Sequence, residues 1–232
     1  MEIIQVQPKV SNHFIKANTV DMNYAELKNK HVIPVFSKSN EPAISHTEFA
    51  DVLTDTVHEC FQNESILSPS FRVSHPMKGR IPSAKDKPAK ELFENEKTLY
   101  YERMFTAIEI ESITDSINGE QLSLVLGGIK AFNQDNLYNK KGADEHFQVF
   151  IGFKNTVCTN LCVSTDGFKG VFKVKNLEQL YYAIKELIES YNVILHLEQL
   201  RSFLDWSLTE HEFAQLIGRC RLYQHLDNQS KR

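Results

Sequence analysis

TLYYERMFTAIEIESITDSINGEQLSLVLGGIKAF, residues 98–132, decides the fold. Two runs rich in branched and aromatic residues flank Asn118-Gly119. Both central residues of a type I′ turn need positive φ, and Asn and Gly supply it at little steric cost. The stretch therefore predicts one long strand from Thr98 to Ile113, with its alternation clearest from Ala107 onward, then a hairpin and a return strand. FQVFIGFKNTVCTNLCVST (147–165) predicts a third strand, and GVFKVK (170–175) a fourth after an Asp166-Gly167 turn. The polar segment between the second and third runs, residues 133–146, is expected to be a surface loop.

Upstream, residues 1–30 are weakly patterned and predict an extended arm with one helical turn near Tyr24–Lys28. HVIPVFS (31–37) has strand composition, with Pro34 suited to an edge. Ser45 followed by Glu48 is a capping box, and behind it Phe49, Val52, Leu53, Thr56, Val57, Cys60 and Phe61 recur at helical spacing. Asp51, Asp55 and Glu59 line another face of that helix, where a solvated acidic stripe outweighs a metal-binding row. Downstream, Leu177, Leu180, Tyr181, Ile184, Leu187, Ile188 and Tyr191 predict a long amphipathic helix. Further helical segments run through Trp206, and a second capping box, Thr209 with Glu212, opens a last helix. The fold class is α+β: a mostly antiparallel β-meander packed against a long amphipathic helix, with further C-terminal helices. Residues 1–30 are expected to form the arm and 31–232 a single domain, shortened at its C-terminus relative to longer proteins of similar sequence.

With 232 residues, 41% apolar and 24% charged content and a net charge of −4, the chain resembles a soluble globular protein with no overall pull toward nucleic acid. It opens without a basic region followed by an apolar run, and no stretch approaches eighteen apolar residues. A cytoplasmic protein that does not engage a membrane is expected, with its four sparse cysteines reduced. No phosphate-binding glycine loop, nucleophile elbow or H-E-x-x-H occurs. His46-x-Glu48 and His196-x-Glu198 match half of a nucleobase-deaminase signature whose P-C-x-x-C half is missing. Cys158 and Cys162 sit four apart, a spacing marginal for zinc and lacking partner ligands; packing on one face of a strand is favoured over metal or redox roles. No cofactor, metal or catalytic residue is predicted, and an enzyme built on Glu102, Glu109 or Asp166 is the least favoured option.

Residues 71–90, FRVSHPMKGRIPSAKDKPAK, hold six cations against the single Asp86, a local charge of +5. Pro76, Gly79, Pro82 and Pro88 predict a short strand, Phe71–Ser74, running into a basic loop. Arg72, Lys78, Arg80, Lys85 and Lys87 are candidate phosphate contacts, and Tyr100 and Tyr101 candidate base-stacking residues. Solubility, or pairing with Glu91, Glu94 and Glu96, is the competing account of the same charges.

The blocks IPVFSKSNEPAISHTEF, RVSHPMKGRIP, YYERM, GFKNTVCTNLCVSTDGF and LTEHEFAQLIGRCRLYQ resemble a bacterial domain family of unknown function encoded on conjugative and phage-like mobile elements. The resemblance spans nearly the whole chain from His31 and carries no established activity. The mobile-element setting implies replication, recombination or anti-defence roles. Strand-meander-then-helix is also the element order of annealing proteins similar to Rad-fifty-two, an analogy of order alone. The resulting expectation is a non-enzymatic protein binding single-stranded nucleic acid, by annealing or protection; the alternative is a factor that engages a host protein. Further copies of the chain are a third partner left open.

Overall fold

The computed structural model describes residues 19–30, 44–135, 144–155 and 168–225. They divide into two compact units, with the boundary between Asn192 and Val193. The first is organised around a six-stranded antiparallel sheet. Its strands are β1 (Val20–Met22), β2 (Ser70–Val73), β5 (Arg103–Ile117), β6 (Glu120–Ala131), β7 (Glu145–Asn155) and β8 (Phe168–Val174), side by side in that order. A separate two-stranded ribbon joins β3 (Pro76–Arg80) to β4 (Lys97–Tyr101). The α+β antiparallel architecture expected from the sequence is the observed one, with β5 to β8 forming its meander.

The β5–β6 hairpin is its longest pairing, running from Arg103↔Ala131 to Ile117↔Glu120 with a register shift between Ile110 and Thr114. Asn118 and Gly119 close it at φ 52° and 81°, the left-handed backbone of a type I′ turn. Opposite the bulge, Leu67 N–H donates to the Glu109 carbonyl and Glu111 N–H to that of Ser65, so residues 65–67 supply a short further contact to β5.

Helices cover one face. α2 (His46–Cys60) begins with the complete capping box, Glu48 N–H donating to Ser45 Oγ and Ser45 N–H to the Glu48 carboxylate. Its Phe49, Leu53 and Val57 are fully buried. Phe49 lies over Gly128 of β6, where a Cβ would sit 2.4 Å from the ring. Period two then assigns Leu124, Leu126 and Lys130 to the same face, with Ile108 and Ile110 from β5 and Phe147, Ile151 and Phe153 from β7. α3 (Leu177–Ser190), capped by Asn176, buries Leu180, Ile184, Leu187 and Ile188. Leu187 reaches over Gly170 of β8. α2 and α3 are tied at their surfaces by Glu59, which accepts from Tyr181 Oη at 2.7 Å and from Lys185 Nζ at 2.6 Å. Those two donors hold the Glu59 carboxyl below its ordinary range.

Val20–Met22 pairs with β2, and α1 (Tyr24–Lys30) follows it at the helical turn read from sequence. Residues 31–37, Cys158, Cys162 and the Asp166-Gly167 turn lie outside the described residues. In the second unit, α4 (Val193–Ser202), a 3-10 turn at Phe203–Asp205 and α5 (Glu210–His225) follow in order, α5 starting at the Thr209/Glu212 box. Among the described residues, no helix is long and apolar enough to cross a membrane.

Two sequence expectations change. The run from Thr98 to Ile113 is two strands broken at Glu102, and the basic segment after Ser74 is a ribbon strand followed by 3-10 turns. The break falls where β6 ends: Phe132 N–H donates to the Glu102 carbonyl in register with the β5–β6 pairing, and the chain then leaves the sheet in a 3-10 turn at Phe132–Gln134. Pro76 is tolerated because it is the first residue of β3, and Gly79 because Thr98 and Tyr100 crowd its α-carbon.

Gly128→Ala tests the α2 seat. It is expected to lose about 1–3 kcal/mol of unfolding free energy in urea, because the new methyl meets the Phe49 ring in a packed layer.

Candidate functional site: a basic ribbon

The ribbon continues the β2–β5 pair beyond a kink. Ser74 N–H donates to the Arg103 carbonyl, and after His75 and Glu102 the two chains pair again from Pro76↔Tyr101 to Arg80↔Lys97. Register places Lys78 opposite Leu99 and Arg80 opposite Lys97, so three cations share one face. Met77, Gly79, Thr98 and Tyr100 occupy the other, where Tyr100 meets the Phe132 ring edge-on at 6.3 Å.

Residues 81–96 cap the ribbon. Ile81 N–H donates to the Glu96 carbonyl, closing their base, and 3-10 turns form at Pro82–Ala84, Ala89–Glu91 and Glu94–Glu96. Arg80 donates to the Lys87 carbonyl. Lys87 Nζ lies 2.5 Å from Glu96 and 5.0 Å from the centre of the Phe93 ring. The Lys87 ammonium and the Phe93 N–H hold the Glu96 carboxyl below its ordinary range. Lys97 does the same for Glu94, with Lys78 adding a smaller pull. Lys78, Lys85 and Lys90 are exposed and make no ion pair among the described residues. Phe93 is 68% exposed and shares a shallow surface hollow with Lys87 and Lys90.

The seven predicted residues thus separate. Lys78, Arg80, Lys85 and Lys87 gather on the ribbon and its cap. Tyr100 is half-buried at the ribbon's inner face. Arg72 stands apart, buried in β2, where its guanidinium is paired with Asp21 and donates to Thr19 Oγ1 and the Thr19 carbonyl, both at 2.7 Å. Tyr101 is buried too, and its carbonyl bonds the His46 ring at 2.8 Å. Neither has a free surface to offer a ligand. Phe93 was missed in the sequence; a lone aromatic between Leu92 and Glu94 gives no periodic signal.

Two buried charge clusters were also missed. Lys130, fully buried, donates to Asp135 at 2.5 Å and to Glu145 at 2.7 Å, with its ammonium 4.2 Å from the Phe147 ring centre. The remaining carboxylate oxygens accept backbone N–H groups, Asp135 from His146 and Glu145 from Ile44. On the sheet's other face Glu109 accepts from Ser123 at 2.6 Å and from Lys154 at 3.1 Å. Such satisfied, enclosed charges are structural. The acidic row on α2 splits similarly: Tyr24 Oη donates to Asp51, which pushes the phenol up to about 12, while Asp55 lines the adjoining cleft of about 620 Å³. Among the described residues no three His, Cys, Asp or Glu side chains converge as a metal site.

Residues 2–232 match the family model described as "Domain of unknown function, B. Theta Gene description", DUF3871. The chain belongs to the DUF3871 family. No curated protein and no solved structure matches it. The description assigns no activity to DUF3871, so what the ribbon does must be argued from its own chemistry.

Lys130→Met is expected to cost about 3–5 kcal/mol in urea unfolding, because it strands two buried carboxylates. Combining it with Asp135→Asn and Glu145→Gln, which retain acceptors for His146 and Ile44, should recover a substantial part of that loss.

Proposed function

We propose that this chain is a non-enzymatic nucleic-acid-binding protein of a mobile genetic element, working in the cytoplasm, and that the β3–β4 ribbon with its cap grips single strands. The observation that carries it is a set of exposed lysines, Lys78, Lys85 and Lys90, that make no ion pair among the described residues, on the same ribbon and cap as the exposed ring of Phe93, which Lys90 adjoins. Cations follow the phosphate backbone while an aromatic ring stacks a base, a pairing that tolerates any sequence. Arg80 adds a fourth cation on the Lys78 face. The mobile-element setting implied by the sequence resemblance fits this role. The mild overall acidity confines binding to this local patch.

Fluorescence anisotropy with a labelled DNA single strand tests the reading. Four phosphate contacts give a log affinity that falls with log salt at a slope of about −3. Reversing Lys78, Lys85 and Lys90 to Glu should abolish binding, and Phe93→Ala should weaken it about fivefold or more, the lower end of one base–ring stack. No binding at micromolar protein in low salt would sink the proposal. Pull-down that recovers a stoichiometric protein and no nucleic acid would favour the host-protein reading instead.

Glu96 supplies a gain-of-binding test. Its folded-state carboxyl titrates below the unfolded value of about 4.3, so the Lys87 pair persists at neutral pH and dissolves only as pH falls through that lowered value. Glu96→Gln removes the competing charge at every pH above this window. Affinity for the single strand at neutral pH should therefore rise.

A further inference from the structure

The last helix of the second unit carries an exposed apolar stripe. Phe213, Leu216, Ile217, Cys220 and Tyr223 recur at helical spacing along α5, and all five are exposed. Phe203, Leu204, Trp206 and Leu208, just ahead of the helix, are more than half exposed, Trp206 at 81%. Large aromatics bury about 150–250 Å² each, so Phe203, Trp206, Phe213 and Tyr223, each partly exposed, offer on the order of 500 Å² in all.

The charges beside the stripe select the occupant. At 100° per residue, Glu210 and Arg221 flank one side of the stripe, while Glu212 and Arg219 flank the other. When two helices pair antiparallel, each flank meets the same flank of its partner. Both acid–base pairs are centred on one point, between Gln215 and Leu216. A two-fold axis there brings Glu210 to Arg221 of the second copy and Glu212 to Arg219 of the second copy, and repeats both by symmetry. Parallel pairing would instead set acid beside acid at one end and base beside base at the other. Glu210, Arg219 and Arg221 make no ion pair among the described residues. Glu212 uses one carboxylate oxygen in the Thr209 cap, which leaves its other available.

We infer that α5 is a self-recognition helix that pairs antiparallel with α5 of a second copy of this chain. The inference is independent of what the ribbon binds.

Sedimentation velocity of the full chain, from about 1 to 100 µM, tests it. The wild type should be dimeric, and Leu216→Glu, a change at an exposed position, should make it monomeric. Arg221→Glu creates two like-charge pairs and should weaken dimerisation about tenfold. Glu210→Arg with Arg221→Glu should restore it to near wild type, because the swap rebuilds both pairs and leaves the Glu212 cap untouched. A wild type monomeric throughout, an unaffected Arg221→Glu chain, or a double variant no tighter than the single one would each overturn the inference.

Discussion

The ammonium of Lys130 is the point on which the sheet and its first long helix depend. It sits at the end of β6 with no exposure, a position in which an unpaired charge would cost many kcal/mol. Two carboxylates neutralise it, and each uses its second oxygen to hold a backbone N–H from a different place in the chain. Ile44, immediately before the α2 cap, is held by Glu145, and the start of β7 is held by Asp135. The same group therefore fixes where β6 stops, where β7 begins and where α2 enters. With α2 so placed, Phe49 meets the bare backbone of Gly128 and the apolar layer closes. A buried triad of this kind is not itself a large source of stability; its contribution is to allow one arrangement of these four segments and to penalise others.

The stop at β6 also creates the ribbon. Beyond the Phe132–Glu102 hydrogen bond β6 gives way to a 3-10 turn, so the chain upstream of Glu102 loses its inner neighbour and has only one partner left. An isolated two-stranded ribbon is marginal in water. This one is held at its base by Ile81 on Glu96, at its cap by Lys87 and Arg80, and on its inner face by Tyr100 against Phe132. Those contacts occupy Arg80 and Lys87 and leave Lys78 of the strand and Lys85 and Lys90 of the cap outward.

Much of this was legible in the sequence, and the rest for identifiable reasons was not. Capping boxes at Ser45 and Thr209, the Asn118-Gly119 turn and the α3 stripe are local codes, complete within a few residues, and each is where the pattern places it. The break at Glu102 is not local. Strand-like composition runs on both sides of it, and the length of β6 decides it. Arg72 looks like its neighbours because its partner Asp21 lies 51 residues away, and Tyr101 looks like Tyr100 until His46 is seen on its carbonyl. Lys130, Asp135 and Glu145 read as ordinary surface charges because nothing in their spacing announces that two strand ends and the close of a 3-10 turn converge. Lys78 and Lys85 lie exposed, with no ion-pair partner among the described residues.

The two outer strands of the sheet carry a consequence for the protein's behaviour in a crowded solution. An open sheet ends in rows of unmated peptide groups, and such rows recruit other chains into fibrils. Among the described residues the outer strands are β1 and β8. The first is three residues long and ends in a side-chain clasp between Asp21 and Arg72, which leaves little ladder to extend. The second is seven residues long, carries the exposed Lys173 and has Gly170 within it, so a strand approaching it meets a positive charge and a poorly shaped platform. A six-stranded sheet can therefore stay open without becoming a template for aggregation.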